Sequence, residues 1–373
     1  MTEEKMGYIE RHRIYKSIEN IRKRPLISYV TSIRPNLSGQ MAGDAISPII
    51  EQINRIPRTF KDVDFLIISN GGDPITSLRI IGLLRERFEK ITVLLPYVAY
   101  SAATILALGA DELIMHPFSN LGPVDPQLTV SRQNGRGQQE NLQFSSEDLR
   151  NFIDFIKTDV GISDQQHLIS AITPLINDVG SLPIGSAKRS QQLSLTLSEK
   201  MLSTHISDEN KAKSISKALN TSYYHHGYAV SRHEAKDMGL NVTYPDEKLE
   251  KLLWKLWKDF STEMKCDISF DVIREIMDDP EASKEINTVP IVNLPANTPP
   301  PLAQQIISQH AQQVPITTRS SIKRNFIIAS VESTYFAKAV YNNIDIIFWR
   351  NPDMSLGANI TSSASGWSDR KEN

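Results

Sequence analysis

From Leu26 to Met115 the chain alternates short apolar runs with amphipathic segments, and the runs have the length and β-branched character of buried strands. Leu26-Val30, Val63-Ser69, Ile91-Leu95 and Glu112-Met115 are predicted as strands, with helices over Ala45-Ile53, Pro74-Phe88 and Ala102-Leu108 between them. Strands alternating with helices predict an α/β fold. Ahead of them, Ile14, Ile18 and Ile21 at i, i+4 and i+7 predict an N-terminal helix whose arginines and lysines face solvent. The uncharged stretch Ile91-Ala110 has the roughly 20 residues of a membrane span. Pro96 divides it, however, and strand, turn and buried helix is the better parse.

Beyond the alternating region, Arg132-Glu140 has no apolar residue and two glycines, which predicts an exposed loop or flap. Helices return with Phe152, Ile153, Phe155 and Ile156 in one and Arg189-Leu202 in another. Asp246-Phe260 carries Leu249, Leu252, Leu253, Leu256, Trp257 and Phe260 on one stripe, to cover this chain's core or meet a partner subunit. The proline-rich run Leu294-Gln305 reads as an extended linker, and Phe326-Val331 and Ile344-Trp349 as strands of a small appendage. This divides the chain into an N-terminal helix (1–25), a core (26–265), a C-terminal α+β appendage (266–350) open to a partner protein through 290–350, and a frayed tail (351–373).

With 41 basic and 43 acidic residues the net charge is -2, which gives no general attraction to nucleic acid or to an anionic membrane surface. The single cysteine, Cys266, excludes an internal disulfide framework and fits a reducing compartment. An acidic start with no apolar stretch lacks the pattern of a secretory signal, so the expected location is cytoplasmic. His225 and His226 are adjacent, so on a strand they point to opposite faces and do not chelate; no metal is expected. No GxGxxG or phosphate-cradling loop follows a strand, and no cofactor is expected.

Candidate chemistry lies in two strand-turn-helix junctions. The first is Ser69-Asn70-Gly71-Gly72-Asp73-Pro74, either a plain turn and N-cap or a site where glycines turn backbone amides toward a substrate. The second puts Ser101 before the apolar helix from Ala102, as an N-cap or as a nucleophile with the Ala102 amide beside it to receive an oxyanion. Together the two junctions place both halves of an acyl-transfer site at one sheet edge.

The segments SNGGDP, PYVAYSAATILALGADELIM and SNLGPVDPQL, with YYHHGYAVSRHEAKDMGL later on, resemble the serine dehydrogenase proteinase family, relatives of signal peptide peptidase A and of Clp protease subunits. The resemblance runs over about residues 8–240. It implies a ClpP/crotonase-like superhelix of β-β-α units, a homo-oligomer, and a serine peptidase acting on peptide or protein substrates through an acyl-enzyme on Ser101. The amides of Gly71 and Ala102 would form the oxyanion hole. Clp-type sites place a histidine where Asn120-Asp125 has none, and His116 reads as structural. Signal peptide peptidases use a lysine ahead of a long helix, a position held here by Lys188, with Lys157 and Lys200 as rivals. A lysine base must be desolvated so that its neutral form is populated. A catalytically silent scaffold and a crotonase-type acyl-CoA enzyme are the alternatives.

Overall fold

A computed structural model describes residues 7–133, 138–221, 223, 225, 227–286, 294–311, 319–351 and 355–370. The strands are β1 (Leu26–Thr31), β2 (Asp62–Ile68), β3 (Lys90–Leu95), β4 (Val98–Ala99), β5 (Glu112–Met115), β6 (Asn120–Leu121), β7 (Gln127–Gln133), β8 (Gln139–Ser145), β9 (Val230–Ser231), β10 (Val242–Thr243), β11 (Ser320–Glu332), β12 (Ala337–Arg350), β13 (Leu356–Ala364) and β14 (Ser368–Asp369). The helices are α1 (Tyr8–Arg22), α2 (Ile46–Arg55), α3 (Pro74–Arg87), α4 (Ala102–Leu108), α5 (Ser146–Thr158), α6 (Gln165–Val179), α7 (Ser181–Leu202), α8 (Glu209–Thr221), α9 (Arg232–Asp237), α10 (Glu247–Glu263), α11 (Val272–Met277), α12 (Pro280–Ile286) and α13 (Pro300–Ala311).

The main sheet runs β10-β5-β3-β2-β1-β11-β12-β13, with β14 also paired to β12. Strands β1, β2, β3, β5 and β10 are parallel, and β11 joins β1 antiparallel. Strands β1, β2, β3 and β5 are buried on both faces, which is why their sequences are largely apolar runs. On one face Phe65, Ile67, Val93 and Leu95 pack against Ile49, Ile80, Leu106 and Leu197 of the helices α2, α3, α4 and α7. On the other, Leu66, Ile68 and Leu94 meet Tyr15 and Ile18 of α1 and Leu253, Leu256 and Phe260 of α10. The α10 stripe therefore covers the chain's own core. This is the α/β, ClpP-like architecture expected from the sequence, with an α+β C-terminal part.

Four local expectations need correction. The cationic face of α1 is not wholly solvated: Arg11 is fully buried, and Arg22 pairs with Asp64 at 2.8 Å. The expected loop over Arg132–Glu140 is strand-paired at its two ends, β7 with β8, and its residues 134–137 lie outside the described residues. Pro300 opens α13 instead of extending a linker, since proline at a first helical turn gives up only an amide that has no acceptor there. The C-terminal tail contributes β13 and β14, because β12 offers its polar, small-residue backbone a pairing partner. Among the described residues no single helix is long and apolar enough to cross a membrane; α6 and α7 reach that composition only together, across a 91° bend.

Candidate active site

The site forms where β2 and β3 end. The chain leaves β2 at Ser69, whose amide bonds Val98 O at 3.1 Å and whose carbonyl accepts from Tyr100 N at 3.0 Å. Those two bonds hold the Gly71-Gly72 loop against the turn that carries Ser101. A Cβ on Gly71 would lie 2.7 Å from Tyr100 O, 2.8 Å from Ser101 Cβ and 3.0 Å from Ala102 N, so only glycine permits the approach. Gly72 is pressed as closely on Met41, where a Cβ would meet the carbonyl oxygen at 2.3 Å.

Ser101 has φ 52° and ψ -119°, a sharp strand-to-helix turn that costs a non-glycine residue about 1–3 kcal/mol. Its hydroxyl caps nothing, and no hydrogen bond to it is found among the described residues. The N-cap reading of this serine is thereby excluded, whereas Asp73 does cap α3, accepting from Ile75 N and Thr76 N. Ser101 is thus held in a strained conformation without a structural task for its hydroxyl.

Surrounding bonds fix this turn. Thr104 Oγ1 donates within reach of Ala99 O (2.7 Å) and Gly122 O (2.9 Å), and Ser77 Oγ donates to Ala102 O at 2.6 Å. Gly122 lies under the Tyr100 ring, where a Cβ would come within 2.5 Å of Cδ1. Thr31 Oγ1 donates to Ser69 Oγ at 2.7 Å, and that hydroxyl oxygen accepts from Gly71 N at 3.0 Å. These positioning residues were not singled out from sequence; the Gly in SNLGPVD was the one visible signal.

The structure brings Ser101, Gly71 and Ala102 together. The Gly71 amide donates to Ser69 Oγ at 3.0 Å. The bridge of Gly72 to Met41 is carried by Gly71 O and Asp73 N, which turns the Gly72 amide to the opposite side of the loop. Ala102, at the first turn of α4, has an amide without an intrahelical acceptor.

Lys188 is not joined to this group by any bond among the described residues. It is exposed on α7, and Nζ donates to Gln191 Oε1 at 3.4 Å, beside Ser146 and Glu147 at the start of α5. The desolvation that a lysine base needs is not supplied there by the chain's own packing. Lys157 and Lys200 are exposed as well. His116 is buried: burial pushes its imidazole below the usual histidine range, Nδ1 accepts from Phe118 N at 3.1 Å, and the ring stacks on Trp254 at 5.1 Å. His225 Nδ1 accepts from Gly227 N at 3.0 Å, and His226 lies outside the described residues. Asp125 accepts from Gln127 Nε2 at 2.9 Å and lines a cavity of about 310 Å³ with Ser145, Glu147, Asp148 and Tyr223.

Close packing at Gly71 gives a direct expectation. Gly71→Ala forces a Cβ onto the Ser101 turn at a residue with φ 104°. Turnover should fall by about 10²-fold, the cost of a displacement near 1 Å at a reacting group. Thermal unfolding should report a stability loss of about 1–3 kcal/mol. Unchanged kcat in a folded variant would separate the diglycine loop from the chemistry.

Two proteins of Methanocaldococcus jannaschii, both described as uncharacterized, are similar to this chain. One is 28% identical over 196 residues (52% of this chain, 57% of that protein), and the other 29% identical over 192 residues (51% and 56%). The chain thus spans little more than half the length of these curated relatives. Among solved structures, a serine-to-alanine mutant of a membrane-bound stomatin-specific protease aligns over 61% of this chain and 84% of its own, with 14% identity and a TM-score of 0.34. Residues 5–134, which hold β1 to β6, the diglycine loop and Ser101, match the family of ClpP-like SDH-type serine proteinases.

Proposed function

We propose that this chain is a serine peptidase that cleaves peptide or protein substrates through an acyl-enzyme on Ser101. The observation that carries the reading is the strained turn at Ser101, with its hydroxyl outside every structural bond described and the diglycine loop in contact with it. A silent scaffold has no need to hold a serine in that conformation, and an acyl-CoA isomerase or hydratase has no need of the hydroxyl.

In the acylation step Ser101 Oγ attacks the scissile carbonyl while its proton passes to a base, and the carbonyl oxygen becomes an oxyanion. The Ala102 amide donates to that oxygen from one side. From the other, the Gly72 amide takes the place expected of Gly71, which serves instead as the close-packed contact. Collapse of the tetrahedral intermediate releases the amine with a proton, and water repeats the sequence on the ester. Hydrolysis of a fluorogenic peptide library by the purified chain tests this reading; absence of turnover in folded protein opposes it.

The assigned base is Lys188, on the strength of the signal peptide peptidase resemblance. Its exposure requires that bound substrate or a second subunit cover it before it loses its proton. Lys188→Arg should then be nearly inactive, because a guanidinium does not give up a proton at working pH. Lys157→Arg and Lys200→Arg should keep wild-type rates, and the wild-type pH-rate profile should rise on an alkaline limb. Full turnover by Lys188→Arg removes it from the mechanism and leaves Ser101 untouched.

A further inference from the structure

The main sheet ends on two unlike edges. At one, β10 pairs over two residues only. At the other stands β13, nine residues long, paired to β12 on its inner side and open on its outer side among the described residues. Natural sheets blunt such an edge with lysine, proline or a bulge. The sequence of β13, LGANITSSA, has no charged residue and no proline, and its register with β12 is unbroken. It is built as a strand that can accept another.

Side-chain rows identify the occupant. Ile322 of β11 pairs with Ile346 of β12, and Ile346 with Ile360 of β13, so three isoleucines stand in one row on one face of the sheet. The first two are buried in a cluster with Phe270, Ile276 and Ile286 from the α11 and α12 region. Ile360 ends the row at the open edge and is 41% exposed. It is also the middle residue of Leu356–Ala364.

We propose that β13 pairs antiparallel with β13 of a second copy of this chain, about a two-fold axis at Ile360. The axis sets Ile360 against its own mate and continues the row through the partner's equivalent strands, giving an isologous interface. Leu356 then faces Ala364, Gly357 faces Ser363, Ala358 faces Ser362 and Asn359 faces Thr361. No like charges oppose one another, and every outward backbone group along the edge gains a partner. An unrelated strand could use the same hydrogen bonds, but it would not account for an exposed isoleucine at the centre of symmetry.

Position-specific cross-linking of the full chain tests the pairing. In Ile360→Cys the two introduced thiols lie opposite each other, and a short bismaleimide should convert the protein to a covalent dimer. In Leu356→Cys the mates are offset by eight residues, about 27 Å along the strands, and should not react together. Cys266 is buried, so wild type serves as the blank. Sedimentation velocity should show Ile360→Lys as a species of half the wild-type mass with unchanged circular dichroism. Equal cross-linking at both positions, none at Ile360→Cys, or wild-type sedimentation of Ile360→Lys overturns the proposal. These readouts do not depend on peptidase activity.

Discussion

Ser101→Ala should lose on the order of 10⁶-fold in kcat, the scale of removing a serine nucleophile, while its unfolding free energy stays within about 0.5 kcal/mol of wild type. Both halves follow from the same geometry. The hydroxyl makes no bond within the described structure, so its loss leaves no buried partner unsatisfied. Alanine carries the same penalty as serine at φ 52°, so the strain stays. Ser101→Gly should be as inactive, yet more stable by about 1–3 kcal/mol, because glycine adopts this conformation without clash. An inactive variant that is also more stable would show strain kept for function. Chemical denaturation of the three proteins, alongside peptide turnover, checks both expectations.

The largest effect on stability should come from Arg11. Its guanidinium is fully buried over the Phe260 ring and bonds Glu332 at 2.7 and 2.8 Å, Glu263 at 2.8 Å, and Asp259. Arg370 closes the network, bonding Glu332 at 2.8 Å and Glu263. The cluster ties α1, α10, β11 and the C-terminal segment together. Removing one member of a buried ionic group leaves uncompensated charge and costs about 3–5 kcal/mol. Arg11→Met should lose that much in urea unfolding at neutral pH, against a total stability of about 5–15 kcal/mol for a typical domain.

The same cluster sets a pH dependence. Burial pushes the Glu332 carboxyl up, but Arg11 and Arg370 outweigh it and hold the group down at about 2. A carboxyl depressed from 4.5 in the unfolded chain to about 2 contributes on the order of 3 kcal/mol. That contribution is complete above 4.5 and is lost as pH falls toward 2, where the folded state must also take up the proton. Asp259 acts in the opposite sense, since burial raises its carboxyl despite Arg11. Comparison of wild type with Glu332→Gln isolates Glu332: the stability gap should be widest at pH 7 and narrow between pH 4.5 and 2. A gap that does not change with pH would contradict the assignment.

The half of the fold that carries Ser101 was legible because it is local. Parallel strands buried on both faces are written as apolar runs, and Ser101 and Gly71-Gly72 follow their strands directly. Long-range pairing was not legible. Arg11 read as a solvated helix charge because its partners Asp259 and Glu332 lie 248 and 321 residues away. The polar segment Leu356–Ala364 read as a tail because only pairing with β12 makes it a strand. The Gly71 amide is held by a hydrogen bond to Ser69 Oγ, which no spacing encodes. Lys188 was placed by position along the chain, and helix α7 carries it to an exposed face.

Treating the intact chain with a fluorophosphonate and mapping the adduct by peptide mass spectrometry shows whether Ser101 is an activated nucleophile. One phosphonylated residue, Ser101, is expected, with labelling abolished by Ser101→Ala and slowed by Gly71→Ala. Folded wild-type protein that takes no label, or labelling that persists in Ser101→Ala, would mean that Ser101 is not the nucleophile.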